Sequence, residues 1–430
     1  MAGMTQTSPG SPNGGDVLLP TCLPAVPGGR PGVPKDGLIR SLSTVSGVTP
    51  HRVASRCISL QAGPRTLVTF RRKETMSMLA DLVDHVIGVD CHKDSNTAVI
   101  ADRLGGEQAK LTAATDSAGY HSHLTWARQH APGRRVWAIE GAGSYGAGLF
   151  DYLQKNGEQV AEVDRPKRPK RKAGVKSDHA DALRAARDFL AAERHAEPRQ
   201  RGELEAVRVL KTTRKQAVQV SSQSVTQLKA LLVKAPEGMR AKLRGLTTSA
   251  LLAACLSMRE QSSRPVEWNA TISALKVIAR RAQNAAKDAD ELEKQLAALV
   301  KAQAPAELLA ECGVGTVVAA ELMSAWSHTG RLHSEAAFAK VAGVAPIEAS
   351  SGQVDRHRLS RNGDRQLNAA IHTVVLTRWR QEARTHAYIE RRRAEGKSDR
   401  EIRRCLKRYV ARHTFRLLEG ASANDAQISA

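Results

Sequence analysis

The sequence predicts a mixed α/β domain followed by a long, mostly helical region, and three observations support this fold class. Short apolar runs alternate with helical patterns across residues 85–193. Helical patterns with few Gly or Pro residues fill residues 202–303. The chain has 430 residues, which predicts two or three domains. Its 65 Lys and Arg against 43 Asp and Glu give a net charge of +22, so the expected partner is a polyanion.

Composition argues against several other classes of protein. Aromatic residues make up only 3% of the chain, fewer than a base-stacking or sugar-binding surface normally needs. The longest nearly uncharged apolar run, residues 246–258, is too short to cross about 30 Å of hydrocarbon. The six cysteines have neither zinc-ligand nor disulfide-framework spacing. No secretory signal is evident, so we expect a cytoplasmic protein without a membrane partner.

The first 80 residues differ from the rest of the chain. Nine of the 17 prolines lie within the first 64 residues, mixed with Gly and Ser. Such a segment buries too little apolar surface to offset its ordering entropy. We therefore expect residues 1–80 to be a disordered extension, and Met76 or Met78 to be an alternative start. A basic tail that contacts nucleic acid is the other interpretation.

The predicted α/β domain covers residues 81–200. Ser177 is the expected N-cap of its last helix. Three successive strands followed by alternating helices and strands predict a mixed sheet with helices on its faces. The expected strands are 85–89, 97–101, 110–114, 135–139 and 159–163, and the expected helices are 117–130, 144–155 and 176–193.

We expect a helical or coiled-coil linker at residues 201–303, a C-terminal domain at 304–418 and a frayed tail at 419–430. Residues 272–300 are rich in Ala and Leu and lack Gly and Pro, which predicts one long helix. The sequence leaves open whether this helix packs within its own domain or joins two subunits. The GVG at 313–315 resembles a helix-hairpin-helix turn, whose backbone amides hold phosphate, although a plain helix-entry turn is the alternative.

Four acidic residues stand out by their positions in these elements. Asp90 ends the first strand, and Glu140 directly follows the strand at 135–139. If these two strands are neighbours, both carboxylates meet at one edge of the sheet. Asp178 and Asp181 are three residues apart at a helix start, which places them on one helical face. Four converging carboxylates would repel one another unless cations were present.

The four acids therefore predict a site for Mg²⁺, with Mn²⁺ as the alternative, because hard divalent ions take oxygen ligands. A two-metal site would polarise a phosphate and activate the attacking oxygen. Singly, the helix aspartates could complement the helix dipole and Glu140 could be a turn residue. The order of the four acids matches a ribonuclease-H-like fold with a DEDD set, as in RuvC-type resolvases. Sugar kinases and actin-like ATPases share the opening strand and a Gly-rich loop, and are the competing folds.

A Ser-Ser-Gly sequence at 350–352 precedes a basic stretch in the C-terminal domain. A hydroxyl among cations suits attack on a phosphodiester, because the cations hold the phosphate and stabilise developing charge. Taken alone, the tripeptide is more typical of an ordinary loop. Two basic stretches are expected to bind nucleic acid, mainly through its phosphates: Arg165, Lys167, Arg168, Lys170, Arg171 and Lys172, and then Arg356, Arg358 and Arg361.

Several segments together resemble a family of insertion-sequence transposases, the bridge-RNA-guided recombinases. These proteins combine a RuvC-like DEDD domain with a C-terminal serine domain. The segments that carry the resemblance include GVDCHKD, IEGAGSYG, EVDRPKRPKRKAGVKSDHADA and FAKVAGVAPIEASSGQVDRHRLSRNGDRQLNAAIHT. The resemblance spans about residues 86–418, and residues 1–80 have no counterpart in it.

The resemblance implies a nucleoid-associated, Mg²⁺-dependent DNA transposase that exchanges strands through a covalent phosphoserine link. The residue before Gly352, Ser351, corresponds to the family's nucleophile, with Ser350 as the alternative. A non-coding bridge RNA would pair with the donor and target DNA, and the protein would act as a homo-oligomer, a dimer or tetramer. The family's metal-binding catalytic acids correspond to Asp90, Glu140, Asp178 and Asp181.

Two other functions are compatible with the residues. A RuvC-like junction nuclease would use water as the nucleophile and leave hydrolytic nicks without a protein–DNA adduct. A non-catalytic nucleic-acid-binding protein would fit the net charge, and loss of the four acids would leave it unimpaired. The ordered acids favour an enzyme over this last alternative.

Overall fold

The computed structural model describes residues 79–163, 177–348, 357–358, 360 and 362–428. Five strands form one sheet in the order β3-β2-β1-β4-β5. β1 pairs antiparallel with β2 and parallel with β4, so the sheet is mixed. The predicted mixed α/β class is confirmed. The strands are β1 (His85–Cys91), β2 (Ser95–Asp102), β3 (Glu107–Ala114), β4 (Arg135–Glu140) and β5 (Val160–Val163).

Three helices cover the sheet: α1 (Ser117–His130), α2 (Ala147–Lys155) and α3 (Asp178–Leu190). α1 and α2 pack on the face that carries Ile87 and Trp137, and α3 packs on the face that carries Val86 and Ala138. α1 has the predicted bounds. α2 begins later than predicted, because Gly141 has a φ of +73° and the amides of Ser144 and Gly146 donate to its carbonyl in a turn.

Local capping fixes the start of α3. The Ser177 hydroxyl accepts a hydrogen bond from the Ala180 N–H, as the sequence predicts for an N-cap. A short 3₁₀ helix, Leu79–Asp81, precedes β1, and Leu79 is buried in the core on the α3 face of the sheet. The core therefore already includes Leu79, the first described residue, which lies two residues before the predicted domain start.

Gly88 lies in β1 beneath α3, and its lack of a side chain sets the distance between the two elements. A Cβ atom at this position would lie 2.0 Å from the Ala182 carbonyl oxygen and 2.6 Å from the Ala186 nitrogen. Both alanines are fully buried. Because the backbones approach so closely, the first turn of α3 lies beside the carboxyl ends of β1 and β4.

The linker contains α4 (Glu203–Lys234), α5 (Glu237–Leu243), α6 (Thr248–Ser257) and α7 (Val266–Gln303). α4 and α7 pack antiparallel: Arg214 pairs with Glu293 at 2.6 Å, and further along α4 the Ser221 hydroxyl donates to the Ala282 carbonyl at 3.0 Å. The predicted long helix therefore exists and packs against a helix of its own chain. A coiled-coil contact between subunits stays a prediction.

The C-terminal part is helical, with one two-stranded ribbon. Gly313, with a φ of +86°, lies in the turn between its first two helices. The last helix continues to Ile428, beyond the predicted end near residue 418, because the Ala-rich sequence there lacks Pro. The elements are α8 (Ala306–Leu309), α9 (Thr316–Trp326), α10 (Glu335–Val341), β6 (Ile347–Glu348), β7 (His357–Arg358), α11 (Arg365–Gln381), α12 (Ala383–Ala394) and α13 (Asp399–Ile428).

The segment after α3 joins the sheet to the C-terminal helices. The Glu162 N–H of β5 donates to the Ala196 carbonyl at 2.8 Å. The Gln200 N–H donates to the hydroxyl of buried Ser327 at 2.9 Å. These contacts lie within one unit, Lys73–Ala430, so the sheet and the C-terminal helices are packed together. Within the described residues, we find no helix of the length and apolarity needed to cross a membrane.

Candidate metal centre

Asp90 and Glu140 lie side by side at the carboxyl ends of two adjacent parallel strands. Val89 and Ile139 are register partners in β1 and β4, so the next residue of each strand is one of the two acids. Side chains alternate along a strand, which places both carboxylates on the face that α3 covers. β1 and β4 are therefore neighbours, as the predicted convergence of these two acids requires.

The first turn of α3 brings two further acids, Asp178 and Asp181, to this edge. His92, in the turn after β1, lies between a strand acid and a helix acid. Its Nε2 is 3.1 Å from Asp90 Oδ2 and 3.3 Å from Asp178 Oδ1. One ligand atom from each of Asp90, His92 and Asp178 lies within 4.8 Å of the other two, close enough to hold one metal ion.

Arg184 connects the other two acids in the same way. It lies one helical turn after Asp181, and its Nη1 donates to Asp181 Oδ1 at 2.5 Å. Its Nη2 is 3.5 Å from Glu140 Oε2. All four acids therefore belong to one cluster, in which each of two basic side chains bridges a strand carboxylate and a helix carboxylate.

The electrostatics of the described residues show that negative charge is crowded in this cluster. Burial raises the pKa of Asp90, His92 opposes this shift, and the charges of Asp181 and Asp178 add to it. Burial, together with Asp90 and Glu140, also raises the pKa of Cys91 to about 12, so the thiol stays protonated at neutral pH. A divalent cation among these carboxylates would lower the repulsion between them.

The residues present fit a divalent ion. Four carboxylates supply the oxygen donors that Mg²⁺ prefers, and an imidazole nitrogen beside them is compatible with Mn²⁺. Asp90 has only 15% of its side chain exposed, whereas Asp178 has 52% exposed. The cluster therefore has a buried floor on β1 and an open side at α3, where a phosphate can approach.

The sequence patterns do not single out His92 and Arg184 as site residues. A signal existed for each of them. His92 lies two residues after Asp90 in the polar turn, and Arg184 lies three residues after Asp181, on the same helical face. The contact of Arg184 with Glu140 depends on the packing of α3 across β4, which a local pattern does not contain.

The other predicted site residues lie mainly outside the described residues. This holds for Ser350, Ser351 and Gly352 and for most of the basic positions. Arg358 is described: it lies on β7, is exposed, and pairs with Ile347 of β6. The basic residues outside the described part are Arg165, Lys167, Arg168, Lys170, Arg171, Lys172, Arg356 and Arg361.

Comparison with known protein families agrees with this geometry. Residues 87–235, which contain all four acids, match a family model described as a transposase and named for a DEDD set and IS110. Residues 306–390 match the model described as Transposase IS116/IS110/IS902 family. A search of curated proteins found no match. The five-stranded mixed sheet is consistent with a RuvC-like DEDD domain, and the chain carries two transposase domains of the IS110 family.

Proposed function

We propose that this protein is the transposase of an insertion sequence, a Mg²⁺-dependent enzyme that cleaves and exchanges DNA strands through a serine nucleophile. The observation that carries the proposal is the cluster of four carboxylates at one edge of the sheet, within the matched transposase domain. Within the described residues, four acids surround two basic side chains, His92 and Arg184, which is a larger share of acids than a structural ion-pair network needs. A catalytic centre for phosphoryl transfer does need such a surplus of acids.

Within this proposal, Asp90 and Asp178, together with His92, hold one divalent ion, and Glu140 and Asp181 complete the site. An ion bound there would supply positive charge to polarise the scissile phosphate. The protein's own contribution is rigidity. Asp90 and Glu140 are fixed by adjacent strands, and the helix acids by the Ser177 cap and the close packing of α3 on β1.

Ser351 is the proposed nucleophile. Its Oγ attacks the phosphorus of a phosphodiester, a serine–phosphate ester forms, and the bond to one deoxyribose oxygen breaks, so that a hydroxyl leaves with the proton from Ser351. A hydroxyl of the other DNA then attacks the phosphoserine and restores the serine. Each step exchanges one ester bond for another, so the reaction needs no external energy source.

The described residues on either side of this serine contact each other. The chain between β6 and β7 contains Ser351, and the two strands pair with each other. Further out, the Asp364 N–H donates to the Val341 carbonyl at 2.7 Å. Gly343, with a φ of +64°, lies so close that a Cβ atom would be 2.4 Å from the Asn362 carbonyl oxygen. The two ends of the serine segment are therefore held together at its base.

The proposed partners are donor DNA, target DNA and a bridge RNA, bound by a dimer or tetramer in the bacterial nucleoid. The net charge of +22 supports a nucleic-acid partner. Two exposed valines, Val220 and Val277, line one groove between the paired linker helices, and burial of this groove against a second copy of the chain supports self-association.

A covalent-adduct assay tests the proposed chemistry. The full chain is incubated with Mg²⁺, bridge RNA and labelled DNA that carries the element ends, and the products are separated under denaturing conditions. We expect a protein–DNA adduct that disappears in Ser351→Ala and persists in the matched control, Ser350→Ala. Hydrolysed DNA ends without an adduct would support the junction nuclease instead, and an adduct that needs only Ser350 would move the nucleophile by one residue.

A further inference from the structure

Arg184 occupies an unusual position in the cluster, because a permanent cation lies between two of the proposed metal ligands. Its guanidinium contacts the Asp181 carboxylate at 2.5 Å and lies 3.5 Å from the Glu140 carboxylate. A guanidinium group carries its positive charge permanently in proteins. A metal ion that binds Asp181 Oδ1 or Glu140 Oε2 must compete with this side chain for the same oxygen.

The contacts of Arg184 differ from those of a permanent structural arginine in the same domain. Arg135 donates to both oxygens of Glu158, at 2.8 and 2.6 Å, and the Glu158 side chain is only 5% exposed. Arg184 instead splits its donors between two acids, and its contact with Glu140 is long. Its buried Nε has no hydrogen-bond partner among the residues that the structure describes. An arginine with so few well-formed hydrogen bonds loses little interaction free energy when its side chain moves away.

The side chain also has room to leave. Arg184 has 40% of its side chain exposed, so the side chain borders solvent although its Nε is buried. It lies one turn along α3 from Asp181, on the open side of the cluster. Asp90 and Asp178 have His92 between them, whereas Arg184 is the basic group that bridges Asp181 and Glu140.

We propose that Arg184 is the counter-ion of the site before a metal ion binds. When a divalent cation binds, Asp181 and Glu140 release the Arg184 guanidinium. The inference rests on the proposed metal site and adds a regulatory role for one residue. Arg184 stabilises Asp181 and Glu140 before metal and DNA arrive, and it lowers metal affinity by competition. It is a positioning residue, because it acts through the acids.

The proposal predicts the sign of a change in metal affinity. Arg184→Met keeps the length of the side chain and removes the charge, so this cation no longer competes with the ion for Asp181 and Glu140. We expect Mn²⁺ to bind about tenfold more tightly to this variant, because a competing cation within contact distance has been removed. The metal-free variant should unfold at a lower temperature than the wild type, and Mn²⁺ should raise its melting temperature by more. If Arg184 merely aligned the acids for the metal, its loss would weaken Mn²⁺ binding.

The experiment is a titration of the full chain with Mn²⁺, without nucleic acid, in which electron paramagnetic resonance measures unbound Mn²⁺. Mn²⁺ binding that is lost in Asp90→Asn is assigned to this site. Arg187→Met is the matched control: Arg187 lies on the same helix, but its Nε donates to the Gly105 carbonyl. We expect this control to bind Mn²⁺ like the wild type. Arg184→Gln, checked by circular dichroism, replaces Arg184→Met if the latter does not fold.

The outcomes separate this inference from the proposed function. Asp90-dependent binding that becomes tighter in the Arg184 variants supports both, and so does binding that appears only in these variants. Asp90-dependent binding that is equal or weaker in them overturns the counter-ion role and leaves the metal site intact. Absence of Asp90-dependent binding in every variant overturns both.

Discussion

Asp90→Asn is expected to lower the rate of DNA strand cleavage by about a thousandfold or more while the fold is retained. The substitution preserves the size of the side chain and removes its charge. Asp90 is the least exposed of the acids that contact His92, and its pKa is raised by burial and by the nearby aspartates. Losing this charge removes a proposed metal ligand and relieves repulsion, so the melting temperature should be equal to or above that of the wild type.

Single-turnover cleavage of labelled element-end DNA in Mg²⁺ measures this effect. Asp94→Asn is the matched control, because Asp94 lies in the same hairpin turn and is exposed. We expect the control to cleave at close to the wild-type rate. Wild-type cleavage by Asp90→Asn would contradict the proposed site, and equal loss in both variants would point to damage of the hairpin.

Gly88→Ala is expected to destabilise the fold by about 3 kcal/mol, because the added methyl group cannot be accommodated without moving α3. Its Cβ atom would overlap backbone atoms of Ala182 and Ala186, which cannot rotate away as a side chain can. The same movement would shift the helix acids away from Asp90. Metal binding should therefore be weakened together with stability.

Urea unfolding, monitored by circular dichroism, measures the loss of stability. Gly143→Ala is the control, because a Cβ atom there would have no neighbour within 4 Å. We expect its free energy of unfolding to change by no more than about 0.5 kcal/mol. Equal stabilities of the two variants would show that α3 does not depend on the close approach at Gly88.

Local signals in the sequence predicted much of the sheet domain. The bounds of α1 and the Ser177 cap depend on residues within one helical turn, and both are found in the structure. The start of α2 was placed too early, because the glycines between β4 and α2 form a turn that a helical pattern does not reveal. The end of α13 was placed too early, because low apolar content does not end a helix when Ala-rich sequence follows.

In the candidate site, local sequence patterns predicted some features, whereas others depend on contacts between residues that are distant in the chain. The acids Asp90 and Glu140 were recognisable as strand-end residues, but their proximity depends on the parallel pairing of β1 with β4. The helix pair, Asp178 and Asp181, was recognisable from its spacing. The bridge from Arg184 to Glu140 was not, since it joins a helix to a strand that lies more than forty residues earlier in the chain.

The central claim is that the acids of β1, β4 and α3 together bind a divalent ion. A crystal structure of the full chain grown with Mn²⁺, with anomalous scattering used to locate the metal, tests it most directly. We expect an anomalous peak about 2.1 Å from carboxylate oxygens of Asp90 and Asp178, at the distance typical of a small divalent ion. Ordered acids with no peak between them at saturating Mn²⁺, or peaks only elsewhere, would contradict the claim.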